Sequence, residues 1–232
     1  VVKHIYAPIA MEAQRRGHSV LISDDPSLDA DIGFYSDDNP VPGNQKLTLV
    51  TINGLDQDHT TRPNYGSFFS SQNWHKFDVG ILPGPRWSIG WLSSMEKLPG
   101  KPSRGVFEVG WPKSDALFSS GDPVLERLNR PAGRNILYAP QTEQDGKQSV
   151  VLNQLQGKNC NLTIKHWESE SYYKMPEYKW LLNESYKNNM NKENERASSF
   201  PWVKILDPES NFMEALSHCD ILISDQSSVI YE

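Results

Sequence analysis

Short apolar runs recur along the chain, each stopped by Gly, Pro, Asn or Asp and separated from the next by helix-length or loop-length pieces. In the first half they are Ile32 to Tyr35, Leu47 to Ile52, Val79 to Leu82 and Val106 to Val109. In the second half they are Asn135 to Ala139, Leu162 to Lys165, Val203 to Leu206 and Ile221 to Ser224. Such runs read as parallel strands, and Trp87 to Lys97 suits a crossover between two of them. Val1 to Gly17 reads as a helix with Ile5, Ile9, Ala10 and Ala13 near helical spacing, closed by Gly17 and followed by a strand at Ser19 to Ser23. A strand normally precedes such a helix in an α/β domain, so the chain is expected to begin inside an element or to lack its first strand.

Ser119 to Gly133 carries Gly121, Asp122, Pro123, Pro131 and Gly133, which leaves room for a short helix from Pro123 to Asn129. The expected domains are therefore residues 1–121 and 134–232, joined by a linker over 122–133. Within the second, helices are expected at Gln148 to Gln156, Tyr178 to Asn188 and Asn211 to His218. Asn188 to Ser199 is so polar that it reads as an exposed helix extension or a mobile loop. The strand Ile221 to Ser224 runs into Asp225 to Glu232, where a helix should start. The second domain accordingly reads as incomplete and the chain as a fragment of something longer.

A net charge of −6 over 232 residues argues against wholesale wrapping by nucleic acid. Trp74, Trp87, Trp91 and Trp111 fit core or cleft packing as well as base stacking, and no run of Lys and Arg accompanies them. No apolar run approaches the roughly 18 residues of a membrane span. Cys160 and Cys219 lie far apart without a metal-type spacing, so neither a zinc site nor a disulfide framework is indicated and a reducing compartment fits best. Val1 to Arg16 contains Pro8, Glu12 and several charges instead of the apolar core of a secretory signal. Dinucleotide and P-loop glycine fingerprints are absent.

Three segments have the residue types that chemistry needs. Cys219 to Ser228 is an apolar strand that ends in Asp225 and turns through Ser227 and Ser228 toward a helix start. At the carboxyl end of a parallel strand those hydroxyls and free amide N–H groups suit a phosphate oxygen, although Asp225 or Ser227 serves equally as a simple N-cap. Leu162 to Glu168 delivers Lys165 and His166 to a strand end, a cation and an imidazole suited to a diphosphate leaving group. A surface histidine at a strand end is the plainer reading. Leu49 to His59 leaves a strand for a polar loop whose Asn53, Asp56, Asp58 and His59 offer a base, while an Asx-rich turn explains the same residues without function.

Taken in order, these segments resemble the CDP-glycerol glycerophosphotransferase family of teichoic-acid and capsule polymerases. Val109 to Phe118 (VGWPKSDALF) resembles that family's G-x-P-K-x-D-x-L-F segment, and Asn135 to Thr142 (NILYAPQT) its ILYAPT strand. Lys165 and His166 are similar to its K-x-H or K-H strand end, and Ile221 to Glu232 follows its ILITDYSSVIFE closely. The resemblance implies a GT-B-like fold, two Rossmann-like α/β domains facing a cleft, with the acceptor on the N-terminal side and the nucleotide donor on the C-terminal side. It implies transfer of glycerol phosphate or a related polyol phosphate from a CDP donor to a polymer or lipid-linked acceptor, with release of CMP. Ser227, Ser228, Asp225, Lys165 and Thr142 would bind the donor and His166 would assist loss of CMP.

No cofactor, metal or nucleic acid is implied, and the place is the cytoplasm, with peripheral association at the inner face of the membrane. In the family a His-Gly-x-x-x-Lys loop supplies the base. The matching stretch here begins Asn53-Gly54 and reaches Asp58 with neither that His nor that Lys. Asn accepts no proton at neutral pH, so His59 takes over from a shifted loop, or the base lies elsewhere, or activity is altered or lost. Two rivals stay open. One is a nucleotide-sugar glycosyltransferase or UDP-GlcNAc 2-epimerase-like enzyme of the same architecture, and the other is an inactive binding module.

Overall fold

The computed structural model of the chain describes residues 2–23, 25, 27–36, 41–52, 54–55, 69, 72–117, 133–140, 149–166, 184–207, 210–224 and 229. Two compact units divide the chain, Val1–Asp115 and Ala116–Ile230. The expected linker over 122–133 lies, but for Gly133, outside the described residues, as does the short helix expected from Pro123 to Asn129.

The first unit opens with α1 (Val2–Arg15). Gly17, at φ +87°, ends it: the Gly17 amide donates to the Gln14 carbonyl at 2.9 Å and the His18 amide to that of Ala13 at 3.1 Å. This paired closure requires a left-handed residue, and glycine takes that conformation without a Cβ penalty. The strand expected at Ser19 to Ser23 is not formed. Leu21 and Ile22 stand 75% and 55% exposed; among the described residues no strand accepts their backbone, and an unpaired strand has no ladder to hold it.

Four parallel strands follow, β1 (Ile32–Ser36), β2 (Leu47–Thr51), β3 (Val79–Leu82) and β4 (Val106–Glu108), in the spatial order β1-β2-β3-β4. The helix α2 (Pro85–Ser94), with proline at its first position, connects β3 to β4. Val50, Ile52 and Leu82 are fully or nearly fully buried. Phe69 sits edge-on to Trp74, with ring centroids 5.0 Å apart, and to Trp91, at 5.3 Å. Trp74, Trp87, Trp91 and Trp111 are all buried, so packing and not base stacking occupies them. Gly80 allows this closeness, since a Cβ there would lie 2.9 Å from both the Trp74 ring and the Val106 side chain.

Asp78, immediately ahead of β3, pins the amino ends of the strands. It accepts from the Thr48 amide at 2.9 Å, from the Thr48 hydroxyl at 3.1 Å and from the Ser103 hydroxyl at 2.7 Å. At the opposite ends, the Ser36 hydroxyl donates to the Ile52 carbonyl at 2.9 Å.

The second unit is an alternation of β5 (Arg134–Ala139), α3 (Val150–Leu155), β6 (Cys160–Lys165), α4 (Glu184–Ser198), β7 (Val203–Leu206), α5 (Phe212–Ser217) and β8 (Ile221–Ser224). Its strands are parallel and ordered β7-β6-β5-β8, so the chain steps outward from β5 to β7 and then returns to the far side of β5. That is the strand order of a Rossmann half, with its reversal point between β5 and β8. The expectation of parallel α/β units is met in both halves of the chain.

α3 and α4 pack on one face of this sheet, and the right-handed crossover rule assigns α5 to the other. Ile136, Tyr138, Leu162 and Ile164 pack on the first face with Leu152 of α3 and Ala197 of α4. Every residue of β6 is buried, as a central strand covered on both faces requires. Removing a side chain such as Leu162 from water is worth about 1.5–3 kcal/mol. Strand alternation assigns Asn161, Thr163 and Lys165 to the second face. Asp220 repeats the role of Asp78, its carboxylate accepting from the Asn135 amide at 2.8 Å while its own amide donates to the Asn135 carbonyl at 2.7 Å.

Candidate functional site

In an open parallel sheet, ligands bind beyond the carboxyl ends of the strands where the strand order reverses. Here that place is the joint carboxyl end of β5 and β8. Tyr138 stands opposite Ile223 and Ala139 opposite Ser224, and the Ser224 hydroxyl donates to the Ala139 carbonyl at 2.7 Å. The strand ends are thereby locked side by side. β6, on the other flank of β5, finishes at Lys165, opposite Leu206 of β7, and continues into His166. With neighbouring parallel strands about 4.8 Å apart, the ends of β6 and β8 lie roughly 10 Å from one another on the same edge of the sheet. His166 therefore stands at the same edge of the sheet as Ser224, the end of β8.

His166 is held from the side. Its Nε2 is 2.8 Å from Oδ1 of Asn194 on α4. Burial pushes the imidazole below its ordinary value of 6.5, the hydrogen bond to Asn194 opposes that shift, and repulsion from Lys165 adds to it. Lys165 is itself 9% exposed. The expectation of an adjacent cation and imidazole is refined by the pleat: successive residues of an extended segment point to opposite faces, so Lys165 belongs with Thr163 and Asn161 while His166 faces α4. The two bracket the sheet edge instead of forming one paired tip.

α4 bears out the helix extension expected at Asn188 to Ser199, not the loop, and corrects its exposure. Residues 188–198 are helical; Ala197 is buried, and Met190, Glu193, Asn194 and Arg196 are half-buried. Met190, Asn194 and Ala197 follow the i, i+4, i+7 spacing of an inward stripe, in which Asn194 is the polar member. That interruption is the sequence signal by which Asn194 was findable. Next to it, Glu193 accepts from the Ser149 amide at 2.9 Å and pairs with Arg196, which fastens α4 to the start of α3. Burial works to raise the Glu193 carboxyl, but hydrogen bonds from the Arg196 guanidinium and the Ser149 amide outweigh it and hold the group below its usual range.

Of the other residues singled out in the sequence, Gly54 is described, half-buried and three positions beyond the end of β2. Asn53, His59, Thr142, Asp225, Ser227 and Ser228 lie outside the described residues. Within the Val109 to Phe118 motif, Pro112–Leu117 forms a 3-10 helix, preceded by Gly110 at φ +92°, with Trp111 and Lys113 buried. Among the described residues no group of three or more His, Cys, Asp or Glu is arranged to hold a metal ion.

Residues 100–232, more than half of the chain, match the family model described as CDP-Glycerol:Poly(glycerophosphate) glycerophosphotransferase. The chain belongs to this family. The glycerophosphotransferase match takes in β4, the Trp111 motif and the whole of the second unit, including Lys165, His166 and the Ser224 end of β8. No curated protein matches the chain. Among solved structures it is similar to the wall teichoic acid polymerase TagF, in variant crystals soaked with CDPG for 15 and for 30 minutes. Both comparisons give a TM-score of 0.48 at 16% identity, covering 86% and 87% of this chain and 50% of that one. The chain thus spans about half the length of TagF. A structure titled trehalose-6-phosphate from E. coli, bound with UDP-2-fluoro glucose, aligns at a TM-score of 0.34 and 9% identity, over 73% of this chain and 44% of that one.

Proposed function

We propose that this glycerophosphotransferase-family chain transfers glycerol phosphate, or a related polyol phosphate, from a CDP-activated donor to a teichoic-acid-like or capsular polymer. The observation that supports the reading is the position of His166, at the carboxyl end of β6 beside the reversal point of a Rossmann-type sheet, inside the segment that matches the family. An acceptor hydroxyl attacks the polyol-side phosphorus of the donor; a new P–O bond forms and the P–O bond to CMP breaks. Negative charge then grows on the departing CMP phosphate. The protonated imidazole of His166 stabilises that charge and supplies the proton, while the acceptor's proton passes to a base. Lys165 adds positive potential from the other face of the same strand end, and Asp225, Ser227, Ser228 and Thr142 complete the donor site.

In this reading Asn53, Gly54 and His59 serve the acceptor side, and the enzyme works in the cytoplasm at the inner membrane face. The test is CMP release from CDP-glycerol by the wild type and by His166→Ala. Loss of release by two orders of magnitude or more is expected for a general acid, and unchanged turnover removes His166 from the reaction. A second reading, an inactive donor-binding module, draws on Asn53 standing where the resemblance expects a histidine base. Binding of CDP-glycerol without CMP release for any acceptor would favour it.

A further inference from the structure

We infer that Asn194 is the positioning residue for His166, fixing the ring against α4 and holding its proton on Nε2, so that Nδ1 is the nitrogen that gains and gives up the second proton. The inference rests on the proposed role of His166 for its catalytic meaning, but its geometry stands independently. The Nε2 to Oδ1 separation is 2.8 Å, and the two residues are 28 positions apart in the chain. A carboxamide oxygen only accepts, so the nitrogen facing it must carry hydrogen. Asn194 is a polar side chain on a stripe otherwise used for packing, between half-buried Met190 and buried Ala197. The helix that carries it is tied to the start of α3 by the hydrogen bond from the Ser149 amide to Glu193, which fixes the height of Asn194 relative to the end of β6.

Among the described residues, Lys165 is the charged group that acts on the ring, and Glu193 and Arg196, which flank Asn194 on α4, pair with each other. Burial and Lys165 disfavour the charged ring, and Asn194 works in the other direction by favouring it. In a neutral ring that donates through Nε2–H, the lone pair lies on Nδ1. Proton uptake there makes the imidazolium that the leaving phosphate requires.

The experiment is histidine-15N NMR of the whole chain across pH 5 to 9, for wild type, Asn194→Ala and Asn194→Asp. In the wild type the His166 signals should show the Nε2–H tautomer at high pH. Asn194→Ala should lose that preference and titrate at lower pH. Asn194→Asp, which keeps an acceptor and adds a charge, should retain the tautomer and titrate about a unit or more higher. The aspartate variant carries the test by itself if the alanine variant does not fold. Wild-type tautomer and midpoint in both variants overturn the inference. His166→Ala, assayed for CMP release alongside, separates the two proposals: retained release overturns the catalytic reading, whereas lost release with unshifted titrations overturns only the role of Asn194.

Discussion

Ser224 and Ala139 are 85 residues apart in the chain, yet the hydroxyl of the first donates to the carbonyl of the second at 2.7 Å. The bond closes the carboxyl ends of β8 and β5 at the point where the strand order reverses. Ser224→Ala should cost about 1 kcal/mol, and more if the carbonyl is left dry, read as a lower urea midpoint at unchanged m-value. An unchanged midpoint would show that water replaces the hydroxyl there.

Asp78 performs the corresponding task at the amino ends of the first sheet. Replacement by Ala deprives the Thr48 amide and the Ser103 hydroxyl of their acceptor, and Thr48 is buried. A loss of about 1–3 kcal/mol is expected. The hydrogen bond from Ser103, followed by that from the Thr48 amide, holds the carboxyl below its ordinary range, so its contribution is complete above about pH 4 and fades as pH falls below that. Denaturation midpoints from pH 6 to pH 3 should therefore fall less steeply for Asp78→Ala than for wild type.

His166 governs a different pH window. Its folded-state pKa is depressed from 6.5, chiefly by burial, so the unfolded chain takes up a proton first as the solution is acidified. Stability from this group is present above pH 6.5 and is lost as pH falls through the lower folded value. Urea midpoints at pH 8 and pH 5.5 should differ by more for wild type than for His166→Gln; equal differences would show that burial does not perturb the ring.

Two short helices of the second unit depend on their caps. The Ser149 hydroxyl accepts from the Leu152 amide at 3.2 Å, and the Asn211 side chain accepts from the Met213 amide at 3.0 Å. Six-residue helices have little stability of their own, so Ser149→Ala and Asn211→Ala should each cost about 1 kcal/mol by urea denaturation. Ser149 also donates its amide to Glu193, a bond that its alanine variant keeps, so the two losses should be of similar size.

The strands were legible because a parallel strand covered on both faces is written as a short apolar run between turn residues, and β7 and β8 fall on the expected Val203 to Leu206 and Ile221 to Ser224. The same logic failed at Ser19 to Ser23, whose composition is equally strand-like: a strand exists only where another accepts its hydrogen bonds. The polar stretch of α4 was read as exposed, since composition registers how many residues are hydrophilic but not which of them face inward. Lys165 and His166 were found as neighbours in sequence, and pleating separates them onto two faces.

The sequence by itself determined that alternating strands and helices would form and which family their motifs resemble, because those properties reside in local patterns of a few residues. Tertiary structure alone decided that β8 returns to lie beside β5, that Ser224 meets Ala139, and that Asn194 reaches His166. Each of these depends on a pairing between distant segments, and the energy that selects it comes from burying a whole sheet face and satisfying its backbone at once.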